Sequence, residues 1–550
     1  MSRTHDVTNQ VPPLTDHDAS DYAPYQEALA RHGATEAAAW VRDVGVAAGS
    51  AEVAELGDLA ERHTPVLHTH DRWGHRIDRV EYDPAYHSLM ERAVGFGLHG
   101  SPWASTSPTA HLERAVGLSA WMQVDAGHVC PISMTYAAVP ALRLDPGLAE
   151  QFVPGLSNHE YDPTFAAPAG KRGLIAGMSM TEKQGGSDVR ANTTRAVPSS
   201  DGTYRLTGHK WFTSAPMSDV LLTLAQAPGG LTCFVLPRVL PDGTPNAIAL
   251  QRLKDKLGNR SNASSEIEYD EAVGWRLGDE GRGVPTIIEM VNMTRLDCTL
   301  GSASSMRVGV QQAAHHATHR SAFGSALVDH ALMRNVLADL AVEAEASSTV
   351  ALWLAALTDE AHPAGPDGGN ERAADLRRIA LAVSKYFVCK RAPIHAAEAL
   401  ECLGGNGYIE DSGMPRLYRE APLMSIWEGS GNVAALDALR AMARQPQTVQ
   451  VFLDELDDAA GADAHLDAAA ARLKKSLGDL ESVEHRARSV VGDMALALQG
   501  ALLVRHGHPA VADAFTRSRL GGDWGTVFGT LPTGVDTAAI IERATPTVDQ

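Results

Sequence analysis

Residues 204–213 read YRLTGHKWFT and follow the turn pair Asp201-Gly202. The β-branched and aromatic content of the run, bounded by turn residues, predicts a strand. Two further runs support it: the apolar LTCFVL (231–236) and SSEIEYDEAV (264–273), where Ile267 and Tyr269 alternate with Glu266, Glu268 and Asp270. The turn clusters APGG (227–230) and LPDGTP (240–245) separate these runs. Residues 174–284 are therefore expected to form a small antiparallel β domain.

On either side the texture is helical. Residues 51–173 are rich in Ala and Leu without strand alternation and predict a helical N-terminal domain, preceded over residues 1–50 by an irregular arm and a helix. Helical spacing returns at 285–440: in RIALAVSKYFVCKRAPIHAAEALECLGGNGY (378–408), Ile379, Val383 and Phe387 recur at one face, and Gly404-Gly405 is a natural stop. The Pro/Gly-rich HPAGPDGGN (362–370) separates two of these helices, and residues 441–550 add an appended helical domain. The expected fold class is α+β and multidomain: helices, an antiparallel β domain, a C-terminal four-helix bundle, then the appended helices. A chain of 550 residues is longer than one core usually organises.

A net charge of −20 argues against indiscriminate binding to nucleic acid or anionic lipid. The five cysteines lack CxxC spacing, which fits reduced, buried thiols and a cytoplasmic location. The polar, Pro-broken start is neither a secretory signal nor a transit peptide, and without a run of about 18 apolar residues no membrane span is expected. His68 with His70, and His315 with His319, lack a carboxylate or Cys partner at ligand spacing, so no metal is expected. There is no GxSxG, Walker loop or GxGxxG opening a βαβ unit.

Several short motifs could carry chemistry. MSMTEKQGGSD (178–188) leaves a strand for a Gly185-Gly186 turn that lets the backbone approach a flat or phosphorylated ligand, with Thr181 and Ser187 as hydroxyls. GHKWFTS (208–214) could pack a ring and hydrogen-bond its edge, although alone it reads equally as a strand in a β core. RSAFG (320–324) sets a cation one helical turn from an aromatic, and MTRLD (293–297) places Arg295 in a helical run, where an ion pair is the default. SIWEGSGN (425–432) presents one carboxylate, Glu428, after two bulky apolar residues and before a Gly-Ser-Gly run.

The order of these motifs, from TExxGGSD through GHKWFTS, LGNRS, DEGRG, MTR, RxxFG, LGGNGY and PRLYRE to WEGSGN, strongly resembles the acyl-CoA dehydrogenase family of flavoproteins over about residues 50–440. THDVTNQVPPL, VDAGHVCPISMTYAA, LKDKLGNRSNASSE and the C-terminal extension resemble its AidB branch, the adaptive-response, isovaleryl-CoA dehydrogenase-like flavoproteins. The resemblance implies FAD bound between the β domain and the C-terminal helices of a homotetramer. It carries a flavin-binding role onto Met178, Met180, Thr181, Gly186, Ser187, Phe212, Thr213 and Ser214, with Phe212 standing where the family usually has Trp. Arg320 and Phe323 match residues that reach the pyrophosphate and adenine across a subunit interface. Gly404, Gly405, Ile426, Trp427, Ser430 and Asn432 match positions beside the cofactor. His330 and Ala331 replace a usual glutamine, as does Glu401.

By the same resemblance Glu428 is the catalytic base. Desaturation of an acyl thioester needs a base for the weakly acidic α-proton while the β-carbon gives hydride to flavin N5, and a carboxylate gains basicity in a dry pocket. Arg295 is expected near an acyl-CoA or similar small-molecule substrate. Two alternatives stand beside this dehydrogenase reading: an AidB-like protein that binds double-stranded DNA in the alkylation response with little dehydrogenase activity, and a flavoenzyme or lipid-binding protein with a non-CoA ligand. From Arg440 onward 11 Lys and Arg face 15 Asp and Glu, with Lys474, Lys475, Arg486, Arg488, Arg505, Arg517 and Arg519 as the one basic stripe, so DNA binding is expected to be weak.

Overall fold

A computed structural model describes residues 4–362, 369–479 and 481–547. The chain opens with α1 (Ala23–Arg31), α2 (Ala38–Gly49) and α3 (Ala51–Arg62), followed by a hairpin of β1 (Val66–His70) and β2 (Arg76–Glu81). Helices α4 (Pro84–Gly95), α5 (Ala110–Trp121), α6 (Ala126–Leu142) and α7 (Pro146–Leu156) come next. Their starts are chemically marked: Asp83, Asp125 and Asp145 each cap a helix by accepting from main-chain N–H groups of the first turn.

Strands β3 (Ala176–Ser179), β4 (Arg195–Pro198), β5 (Tyr204–Ser214), β6 (Val220–Ala227), β7 (Gly230–Pro237), β8 (Ile248–Leu253) and β9 (Ser264–Leu277) make one sheet in the order β3-β6-β4-β5-β9-β7, with β8 on β9. A further β6–β7 pairing closes the sheet on itself. Closure hides strand edges and encloses a core that includes Leu206, Leu221, Phe234, Leu236, Leu250, Ile267 and Tyr269.

The helical remainder consists of α8 (Gly283–His319), a two-residue-strand hairpin of β10 (Ser321–Ala322) and β11 (Ser325–Ala326), then α9 (Ala331–Ala361), α10 (Glu371–Glu401), α11 (Met414–Met424) and α12 (Gly431–Arg444). The extension adds α13 (Gln447–Asp457), α14 (Ala464–Leu477), α15 (Ala487–His506), α16 (Pro509–Phe515) and α17 (Thr537–Ala544). Most of the Pro/Gly loop expected between α9 and α10 lies outside the described residues, at 363–368.

Two expectations change. The segment expected to be wholly helical contains the β1–β2 hairpin, whose turn is tied by Asp71 Oδ1 accepting from Trp73 N and His75 N, both at 2.9 Å. Its strands are exposed or half-buried throughout, so they lack the strong apolar alternation that marks a strand in sequence. The β sheet is mixed rather than purely antiparallel, because β3 runs parallel to β6. β4 and β5 intervene between them, which supplies the long connection that parallel pairing requires.

Contacts gather the chain into two compact units: residues 52–110 with 124–294, and residues 1–51, 111–123 and 295–550. Within the second unit α15 packs on α9 and α10, and α17 and α1 pack on α9, so the arm, the bundle and the extension share one core. Helix α9 is accordingly buried from Leu337 to Asp359. By length and composition α9 and α15 could cross a membrane, yet 94% and 67% of their most apolar windows are buried inside the fold, as in core helices.

Burying α9 on all sides also buries Asp339, Glu343 and Glu345, and basic side chains meet them. Arg519 pairs with Asp339 and Glu343, Arg391 with Glu343 at 2.8 Å, and Arg543 with Glu345 at 2.7 Å. Burial pushes the Glu343 carboxyl up, but Arg391 and Arg519 outweigh it and hold it at about 2. Its contribution is therefore present above the ordinary carboxylate value and fades as pH falls toward 2. The substitution Arg519→Met should cost about 3–5 kcal/mol by leaving buried carboxylates uncompensated. Calorimetry should show a lowered unfolding temperature at pH 7 and a difference from wild type that shrinks toward pH 2.

Candidate functional site

In the β-containing unit, the TExxGGSD loop is built around a buried ion pair. Glu182 is fully buried and accepts from Lys210 Nζ at 3.0 Å, Thr193 N at 2.7 Å and Thr194 N at 3.1 Å. Burial raises this carboxyl, but the Lys210 ammonium and the Thr donors outweigh it and hold it well below the carboxylate range. The pair ties the loop to β5, and Trp211 N donates to Thr181 O at 2.8 Å beside it. Gly186 is needed for close approach, because a Cβ there would stand 2.6 Å from Thr181 Oγ1. Ser187 is exposed, while Met178, Met180 and Thr181 are half-buried.

The register of β5 against β9 shifts between Lys210 and Thr213, so one extra residue occupies β5. Adjacent residues normally alternate faces, and the bulge breaks that alternation between buried Lys210 and buried Thr213. Phe212 is left 49% exposed, with the Lys254 ammonium 4.8 Å from its ring and 3.4 Å from that of Trp211. Ser214 is half-buried, its hydroxyl 3.3 Å from that of Ser264. The Thr213 hydroxyl turns inward to Ser179 Oγ at 2.6 Å.

In the helical unit, Glu428 sits in the turn between α11 and α12 with φ +55°, and Gly429 follows with φ +101°. Three successive main-chain carbonyls of this turn are gripped by two buried cations. Lys385 Nζ, from α10, donates to Trp427 O at 2.9 Å and to Gly429 O; Arg295 Nε, from α8, donates to Glu428 O at 3.0 Å. Arg295 Nη1 also meets Asp437 Oδ2 at 2.8 Å, and Arg378 reaches the same carboxylate at 3.0 Å. Arg295, expected near the substrate, is 5% exposed and donates into the Glu428 turn. Its place inside α8, packed toward Asp437, is the physical reason.

Glu428 itself is half-buried, with Oε2 shielded from solvent. Trp427 Nε1 is likewise shielded, without a hydrogen-bond partner. Ile426, at 62% exposure, and Ser430 and Asn432 lie open. Gly404, with φ +59°, and Gly405 are exposed, and a Cβ at either would meet nothing within 4 Å.

Phe323 tops the β10–β11 hairpin at φ +54° with its side chain 99% exposed. His330, which replaces the expected glutamine, lies edge-on to the Phe323 ring at 6.2 Å and contacts Ala322 O at 3.1 Å, bracing the hairpin from below. The arm completes it: Asn9 exchanges 2.8 Å bonds with Ser321 O and Ser321 N, and its carbonyl accepts from Arg320 Nη1.

The expected basic stripe does not form a phosphate-tracking face. Lys474 pairs with Asp457, Arg486 with Asp479, Arg505 with Glu455 and Arg517 with Asp513, while Arg519 is buried. Lys475 and Arg488 are exposed. Neutralised cations release few counterions, so the main drive for duplex binding is weak here.

Domain models match along most of the chain: the adaptive response protein AidB N-terminal domain over residues 9–163, and the acyl-CoA dehydrogenase middle and C-terminal domains over 177–272 and 281–443. The chain belongs to the acyl-CoA dehydrogenase family. It is 42% identical over 522 residues to AidB of Escherichia coli (strain K12), covering 94% of this chain and 95% of that protein. It is 32% identical to acyl-CoA dehydrogenase family member 11 of Caenorhabditis elegans over 83% of this chain and 78% of that one. The crystal structure of Caenorhabditis elegans ACDH-11 in complex with C11-CoA superposes with a TM-score of 0.85 at 28% identity, covering 94% and 93% of the two chains.

Sequence reasoning passed over Lys210, Glu182, Lys385, Asp437 and Asn9. Two of them had a signal, since Glu182 lies inside TEKQGGSD and Lys210 inside GHKWFTS. Replacing Lys210 by Met should strand the Glu182 carboxylate at a cost of about 3–5 kcal/mol. Limited proteolysis should then cut the 181–188 loop at least tenfold faster than in wild type.

Proposed function

We propose that this protein is an FAD-dependent acyl-CoA dehydrogenase in which Glu428 removes the α-proton of an acyl thioester. The observation that carries the reading is the Glu428 turn. A carboxylate with one oxygen shielded from solvent is held at a fixed main-chain position by cations that bind the carbonyls around it. Such fixed geometry favours a general base.

Each unit taken by itself offers groups that suit the cofactor. Half-exposed Phe212 offers a ring face, Gly186 allows the backbone approach and Ser187 offers an open hydroxyl. Trp427 Nε1 is a buried donor awaiting an acceptor, and the open Gly404-Gly405 turn leaves room for a dinucleotide. Bound FAD supplies the hydride acceptor. Glu428 takes the proton, Lys385 and Arg295 fix its main chain, and Ser430 and Asn432 offer polar groups at the start of α12. The substrate reading draws support from the C11-CoA bound to ACDH-11.

Exposed Phe323, braced by His330, supports a homotetramer in which Arg320 and Phe323 reach the adenylate end of FAD on another subunit. The burial of all five cysteines, spaced without CxxC pairs, supports a cytoplasmic location.

Protein purified with FAD should bleach anaerobically with a straight-chain acyl-CoA from a panel that includes C11-CoA. Glu428→Gln should slow bleaching by at least 10³-fold while FAD stays bound. Absence of bleaching with every chain length refutes the dehydrogenase reading. Phe323→Ala should weaken FAD retention at least tenfold by fluorescence titration and shift the oligomer toward smaller species in light scattering.

A further inference from the structure

We propose that Lys385 is a positioning residue for Glu428, its buried ammonium holding the carbonyls on either side of the carboxylate and supplying the positive charge that the carboxylate meets. The inference deepens the reading of Glu428 as a base and rests on it.

Lys385 is 1% exposed and stands in the middle of α10. A buried ammonium is costly unless it is paired, and an apolar side chain would fill the same space at less cost. Its bonds go to Trp427 O and Gly429 O, and among the described residues no carboxylate lies within ion-pair distance of Nζ. The two positive φ values at 428 and 429 turn alternate carbonyls toward one cation. Because the acceptors are residues 427 and 429, whatever moves Lys385 moves Glu428.

Several other charged groups of the neighbouring helices have partners of their own, and α11 carries Arg416, Glu420 and Arg419, the last paired with Glu410 at 2.7 Å. On α8, Arg295 is neutralised by Asp437 of α12, and Asp297 is held by Arg114 at 2.7 Å. On α10, Arg378 shares Asp437, as does Arg440 of α12. The thiols of Cys298 and Cys389 complete the surroundings, both pushed up by burial. Lys385 acts downward and Glu428 upward on the Cys298 thiol. Lys390 and Arg488 lie farther out, near Gly431. Among the described residues Lys385 is thus a buried cation whose bonds go to the main chain on either side of Glu428 rather than to a carboxylate.

Two variants of the full-length, FAD-loaded protein test this: Lys385→Met removes donor and charge, and Lys385→Arg keeps both. Amide hydrogen exchange across residues 424–434 should be at least tenfold faster in the Met variant and within threefold of wild type in the Arg variant. In the C11-CoA bleaching reaction, loss of the positive charge disfavours the carboxylate, so the acid limb of the pH–rate profile should move up by about one pH unit in Met and stay in place in Arg. Wild-type exchange in the Met variant overturns the proposal, as does an unmoved acid limb. A lowered unfolding temperature with both readouts unchanged marks a purely structural lysine and also overturns it. If Glu428→Gln bleaches normally, the base assignment fails, while the exchange data still decide whether Lys385 sets the turn.

Discussion

A carboxylate in the left-handed region of backbone space costs an L-residue about 1–2 kcal/mol, and Glu428 occupies that region at φ +55°. Surrounding structure must over-determine such a conformation for it to persist. Here Lys385 and Arg295 do so from α10 and α8, while Asp437 from α12 neutralises Arg295. Three helices are therefore needed to present one side chain, and their packing follows from that requirement as much as from apolar burial.

The same device recurs at other buried charges. Glu182 and Lys210 lock the Gly-rich loop to β5, and Arg519, Arg391 and Arg543 meet Asp339, Glu343 and Glu345 of α9. Truncating one member of such a pair is expensive because the remaining charge stays buried. That asymmetry gives these networks definite geometry, and it places Arg519 in the fold rather than on a nucleic-acid surface. The extension is tied to the bundle by the same arginines, which is why it shares a core with α9 instead of standing apart.

The helix–sheet–helix order was legible because long periodic or alternating segments carry their own signal. The β1–β2 hairpin was not, since its strands bury too little on either face to show alternation. The parallel β3–β6 pairing was hidden for a different reason: strand partners far apart in sequence leave no local trace. Among candidate site residues, Glu428, Phe212 and Phe323 come from motifs that match the family; Phe212 and Phe323 are exposed and Glu428 is half-buried. Arg295 and Thr213 lay in motifs too, but their directions depended on Asp437 and on a bulge that no spacing reveals.

Sequence alone determined the family, the element order and the presence of one carboxylate between bulky apolar residues and glycines, because these are matters of residue type and local spacing. Tertiary structure decided what holds that carboxylate. Lys385 precedes Trp427 by 42 residues and Arg295 precedes Glu428 by 133. Only the packing of α8, α10 and α12 brings their charges to one turn, since hydrogen bonds and ion pairs act over a few ångströms of space regardless of separation along the chain.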